Sequence, residues 1–218
     1  MELKYLANFG LDKERAWSGT VFSLFTALSK HFEVNEVNAA LSIFTRVLLK
    51  ILKIHWFNSS FFENWLNSKK FKKLNGNIFQ FSEIKFDDEK TKTRTFIYQD
   101  LSVSYIKYMK ENLPEVFEKS GYTDISSKIL EKRVIYQNKY YSTCSKVFVM
   151  GHWLKKFLVE QGLLSDKVAA VGGGTNVNVN LINPLEKQNN KILFVGRDFE
   201  RKGGFLTYEA FCMLKKNA

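Results

Sequence analysis

Proline and cysteine are nearly missing from this chain, with two of each among 218 residues. So few prolines exclude long polyproline linkers. Cys144 and Cys212 stand far apart, one before an apolar run and one inside a helical pattern, with no CxxC pair or Cys/His cluster. That excludes a disulfide framework, fits a reducing compartment and gives no structural metal site. Long hydrophobic runs are missing too: Lys or Arg interrupts every apolar stretch, so no segment reads as a membrane span. The opening MELKYLANFGLDKER lacks the charged and apolar regions of a signal peptide. The expectation is a cytoplasmic protein, soluble or associated with a membrane surface.

Acid is scarce relative to base. The 33 Lys and Arg against 22 Asp and Glu leave +11, a balance that attracts nucleic acid, anionic membranes or phosphorylated small molecules without choosing among them. Residues 46–73 hold seven Lys or Arg and a single acid, Glu63. Apolar residues at 45% exclude a disordered chain, and 20 phenylalanines mean that some lie near solvent. The length suffices for one substantial domain, or for one domain and the start of another.

Short apolar runs alternate with helical patterns. Strands are expected over 4–9, 77–84, 94–98, 146–150 and 167–171. Helices are expected over 21–31, 46–56 (with Arg46, Lys50 and Lys53 on one face) and 152–161, the last capped by Gly162. This alternation predicts an α/β fold: a Rossmann-like parallel sheet with flanking helices over 1–180. A linker over 181–190 follows, with Pro184 inside the Asn-rich stretch 176–190. A strand over 191–195 and a helix over 205–215 then open a second α/β domain, 191–218, too small to bury a core and therefore incomplete.

The segment ILFVGRDFERKGG, residues 192–204, carries the most chemistry. A strand ends in Gly196 and Arg197, with Lys202 five residues on and Gly203-Gly204 before a helix. Glycines let backbone approach phosphate oxygens, a fresh helix offers free N–H groups, and two cations neutralise a diphosphate. Solvated surface charge explains such a loop equally simply. It is neither a P-loop nor a GxGxxG fingerprint.

FVGRxxxxKGG after a linker resembles the opening of the donor domain in family-four retaining glycosyltransferases of the GT-B fold. The resemblance makes Arg197 and Lys202 the catalytic pair, binding the donor's diphosphate and stabilising it as a leaving group, with Gly196 and Gly203 shaping the loop. Upstream, KVFVMGHWLKKFLVEQGLLSDKVAAVGGGTNV resembles the end of the family's acceptor domain. It keeps Trp153, Gly162, Lys167, Val168, Gly174, Asn176 and Val177 but has Gly151 where serine is usual. Near the N-terminus WSGT, residues 17–20, resembles the small loop that faces the donor phosphates, making Gly19 a phosphate-binding candidate flanked by Ser18 and Thr20. Ser18 is equally a natural N-cap for the helix that follows, and the two roles are compatible.

The resemblance implies sugar transfer from a nucleotide-sugar donor to a glycan or lipid-linked acceptor, with no cofactor and no metal, because the two cations take the metal's place. Asp100 and His152 follow strands at one sheet edge and are acceptor-side candidates; a cap or turn role suits Asp100 as well. Asp87 and Asp88 read as a solvated turn, and His31 and His55 are assigned no role. The family's later Glu-containing motif and nucleobase pocket are not in this sequence, so little or no activity is expected unless a second chain supplies the donor domain. A non-catalytic glycan- or partner-binding module is the alternative. Nucleic acid is not an expected partner, since no motif accompanies the charge. The basic, aromatic stretch RVLLKILKIHWF with KKFKK suits either an anionic membrane surface or a sheet-covering helix with a solvated lysine face.

Overall fold

Tyr5, Leu6 and Ala7 are consecutive in sequence and all buried, which a strand manages only when both faces of its sheet are covered. The computed structural model describes residues 2–10, 12–52, 56–86, 93–174, 192–196 and 198–216, and the side chains of all of these but 56–61 and 216. Among the described residues are six strands, β1 (Glu2–Ala7), β2 (Glu33–Asn38), β3 (Asn77–Gln80), β4 (Arg94–Gln99), β5 (Lys146–Val149) and β6 (Val168–Ala170). They form one all-parallel sheet in the order β2-β1-β3-β4-β5-β6. The fold is Rossmann-like α/β, as the alternation predicts.

Register aligns Tyr5 with Phe79, Phe79 with Phe96, and Tyr98 with Phe148. These aromatics make one face, and Tyr5 stacks on Phe79 at 5.7 Å. Helix α1 (Thr20–Leu28) covers that face through Val21, Leu24 and Phe25, and Tyr5 Oη donates to the Val21 carbonyl at 2.6 Å. The opposite face carries Leu6, Ile78, Ile97, Val147 and Val149. It is covered by Tyr140 and Tyr141 of α6 (Ser127–Thr143) and by Leu154 and Leu158 of α7 (His152–Glu160). Between β2 and β3 run α2 (Ile43–Ile51) and α3 (Trp56–Lys70); between β4 and α6 run α4 (Val103–Asn112) and α5 (Pro114–Glu118).

The element boundaries expected from sequence hold to within a few residues, with four differences, the first being that α3 was not expected as a helix. β2 was not expected as a strand: EVNEVN is polar, and as an edge strand it half-buries only Val34 and Val37. The helix expected over 46–56 is α2, three residues earlier at its start. The strand expected over 191–195 is absent from the described residues 192–196, which are neither strand nor helix, with Leu193 85% exposed. A strand needs a ladder partner, and none pairs with them among the described residues. Helix α8 (Gly204–Lys216) follows as expected. Gly162 takes the left-handed conformation at φ 93°, and Leu163 N donates to the Leu158 carbonyl at 3.0 Å, a Schellman-type stop to α7. The linker expected over 181–190 lies outside the described residues.

Candidate functional site at the sheet's switch point

In a sheet ordered β2-β1-β3, the chain leaves β1 to one side and returns to start β3 on the other. The loops after these two strands diverge and open a crevice at their carboxyl ends, the usual ligand position in open α/β sheets. Here the crevice has two parts, one on each side of the β1 edge.

The first is the loop from β1 into α1. A 3-10 turn (Ala16–Gly19) carries Trp17 at φ 48° and Ser18 at φ 55°, left-handed values that cost non-glycine residues energy, and Gly19 follows at φ 85°. Trp17 is held there edge-on to Phe81 at 5.4 Å and to Tyr98 at 6.1 Å. Gly19 is the N-cap of α1, and the first turn of the helix holds no acid. The positive φ at residues 17–19 puts Gly19, rather than the expected Ser18, at the cap position. An open depression of about 750 Å³ beside the start of α1 is lined by Glu14, Arg15, Ser18, Gly19, Phe22 and Ser23. A helix N-terminus and an exposed arginine suit an anion, with Asp12, which pairs with Arg15 at 3.2 Å, and Glu14 opposing it.

The second part was missed by sequence reasoning. Asn8 after β1, Ser82 and Glu83 after β3, Glu63 and Asn64 of α3 and Arg133 of α6 line a pocket of about 180 Å³. Glu83 is buried and accepts from Gln99 Nε2 (3.2 Å), Asn64 Nδ2 (3.3 Å) and Gln137 Nε2, with Arg133 Nη2 at 3.6 Å. Burial pushes the Arg133 pKa down while Glu83 and Tyr136 hold it up. Glu63 accepts from Asn8 Nδ2 at 2.8 Å; its pKa is raised by burial, against the opposing pull of Asn8 and the Arg46 guanidinium. Such a pocket is rich in hydroxyl-binding groups. Its sequence signal is slight: polar residues immediately after an apolar strand, in Ala7-Asn8 and FQFSE.

Asp100 and His152 are brought to the same edge as expected. They follow β4 and β5, which Met150 N joins by donating to the Gln99 carbonyl at 3.1 Å, and both are exposed. Burial raises the pKa of Tyr98 and Asp100 adds to the rise, and Tyr98 Oη donates to the Gly172 carbonyl at 3.0 Å. Gly151 has a packing reason: a Cβ there would lie 2.6 Å from the Trp153 indole, which packs on Tyr105 at 4.7 Å.

Arg197 lies outside the described residues. Around it, Gly203 is left-handed at φ 79°, Gly204 N donates to the Phe199 carbonyl at 2.7 Å, and a Cβ on Gly196 would lie 3.2 Å from the Lys202 Cβ. The turn thus sets Gly196 against Lys202, whose side chain is exposed. Arg201, not singled out from sequence, pairs with Asp198 at 2.9 Å and lowers that carboxyl's pKa. Among the described residues no hydrogen bond or ion pair joins Gly19 to Lys202. Nor do three or more His, Cys, Asp or Glu come together as metal donors among them. No family model, curated protein or solved structure matches the chain, so a functional reading has to rest on the chemistry of this edge.

Proposed function

We propose that the chain is the acceptor-side domain of a retaining glycosyltransferase of the GT-B type, together with the opening segment of its donor side. The observation that carries this reading is the left-handed Trp17-Ser18-Gly19 turn, which sets glycine at the N-cap of α1 beside Arg15 at the switch point. Backbone strain held by aromatic packing belongs where close approach to a ligand repays it. A nucleoside diphosphate leaving group supplies the anion, and Lys202 with Arg197 adds cations from the donor side. The polar pocket of Asn8, Glu63, Asn64 and Ser82 then takes acceptor hydroxyls, with Asp100 and His152 farther along the same edge.

Titration calorimetry with uridine and guanosine diphosphates tests this reading. Binding by at least one is expected, weakened about tenfold or more, or about 1.4 kcal/mol, by Gly19→Val and by Lys202→Ala. Absence of binding, or binding untouched by both changes, overturns it. The completeness of the polar pocket favours a second reading, a glycan-binding module without catalysis. Oligosaccharide binding lost with Asn64→Ala but indifferent to Lys202→Ala, without nucleotide binding, selects that alternative.

A further inference from the structure

Helix α2 is amphipathic in the wrong sense for a helix that covers a sheet. At 3.6 residues per turn, Ile43, Phe44, Val47, Leu48, Ile51 and Leu52 share one half of its circumference. All six are exposed, Phe44 at 78% and Ile51 at 70%. The half turned inward carries Thr45, Arg46 and buried Leu49. Arg46 is half-buried, close enough to Glu63 to lower its pKa, and its Nε is buried with no hydrogen-bond partner among the described residues. A soluble helix seldom turns its arginine in and its isoleucines out, and a contiguous exposed apolar face of this kind marks an interaction surface.

The surrounding charge identifies the partner. Lys50 is exposed at the edge of the apolar half, and Lys69, Lys70, Lys72 and Lys73 are exposed at the end of α3 and just after it. Between residues 39 and 82 the only acid is Glu63, which is half-buried. On α3, exposed Trp65 lies under the Lys69 ammonium at 3.7 Å, a pairing of aromatic and cation that suits a membrane–water boundary. A second copy of the chain would bring lysines against lysines across a two-fold contact, whereas anionic lipid supplies the opposite sign and an apolar layer together. The helix is preformed, with Ser42 Oγ accepting from Thr45 N at 3.1 Å and Leu49 anchoring it, so docking requires no folding step.

We propose that α2 lies in the surface of an anionic bilayer, with Ile43, Phe44, Val47, Leu48 and Ile51 in the acyl boundary and the neighbouring lysines on the headgroups. This goes beyond the glycosyl-transfer reading and is measured without donor or acceptor, so either can fail alone. The test is co-sedimentation of the whole chain with phosphatidylglycerol–phosphatidylcholine vesicles and with pure phosphatidylcholine. Preferential binding to the anionic vesicles is expected, falling several-fold in high salt. Phe44→Ser combined with Ile51→Ser is expected to weaken it by about tenfold or more with unchanged circular dichroism. Lys50→Glu, which leaves the apolar face intact, is expected to weaken it less. Binding that ignores lipid charge, or survives the double substitution, overturns the proposal. So does a concentration-dependent dimer in sedimentation velocity that the double substitution abolishes.

Discussion

Glu63 and Gly151 show how much one residue's surroundings decide. Burial disfavours the Glu63 carboxylate more than Asn8 and Arg46 favour it, so its folded pKa stands above its ordinary value. The folded state then holds this proton more tightly than the unfolded chain does, and ionisation costs stability at neutral pH. Glu63→Gln, which keeps an oxygen for Asn8, is expected to raise the melting temperature near pH 7. The gain is expected to shrink as pH falls toward the ordinary glutamate value of about 4.3. A melting temperature that drops at neutral pH, or a gain independent of pH, contradicts this. At Gly151 the residue is free of backbone strain, and the reason for glycine is the indole of Trp153 lying where a serine side chain would go.

Among the elements, α6 is locked to the sheet as much by polar as by apolar contacts. Gln137 Oε1 accepts from Val103 N at 2.7 Å and its amide donates to Glu83, Tyr136 Oη donates to the Glu83 carbonyl at 2.8 Å, and Tyr141 Oη donates to Gln99. Glu83→Ala removes the carboxylate that Gln137, Gln99 and Asn64 share and separates the buried Arg133 guanidinium from it. Urea unfolding is expected to show a loss of about 3–5 kcal/mol, with a smaller loss for Glu83→Gln. A loss under about 1 kcal/mol contradicts the lock. Helix α2 is the opposite case: the stripe and the lysines were plain from sequence, but not which side faces the protein. Its period admits both a sheet-covering helix and a surface-lying one, and only the inward Arg46 and Leu49 distinguish them.

At the scale of the whole molecule, burial distinguishes the two cysteines. Cys144 sits in the core with Ile97, Tyr140 and Val147, and burial pushes its thiol up to about 11, while Cys212 is half-exposed on α8. A thiol reagent near pH 8 is therefore expected to label one cysteine of the native protein quickly, Cys212, and both after denaturation. Fast native labelling at Cys144 contradicts the described packing. Among the described residues no helix is long and apolar enough to cross a membrane, in keeping with the interrupted apolar runs. The long-range contacts that make the candidate site are a property of this scale: Asn8, Ser82, Glu83 and Arg133 are scattered over more than half of the chain and meet only in the folded sheet.

Composition and local pattern were enough for the α/β class, for five of the six described strands and four of the eight described helices, and for the glycine loop ahead of α1. These depend on neighbours in sequence: β-branched and aromatic runs, helical periodicity, and glycines where φ turns positive. Strand order was beyond reach because β2 is too polar to announce itself, and without β2 the switch point between β1 and β3 has no place. The buried Glu83 network and the outward apolar face of α2 likewise depend on what packs against each side chain. A strand carries its two-residue period in its own sequence, but its partners, and hence the crevice beside it, exist only once distant segments are paired.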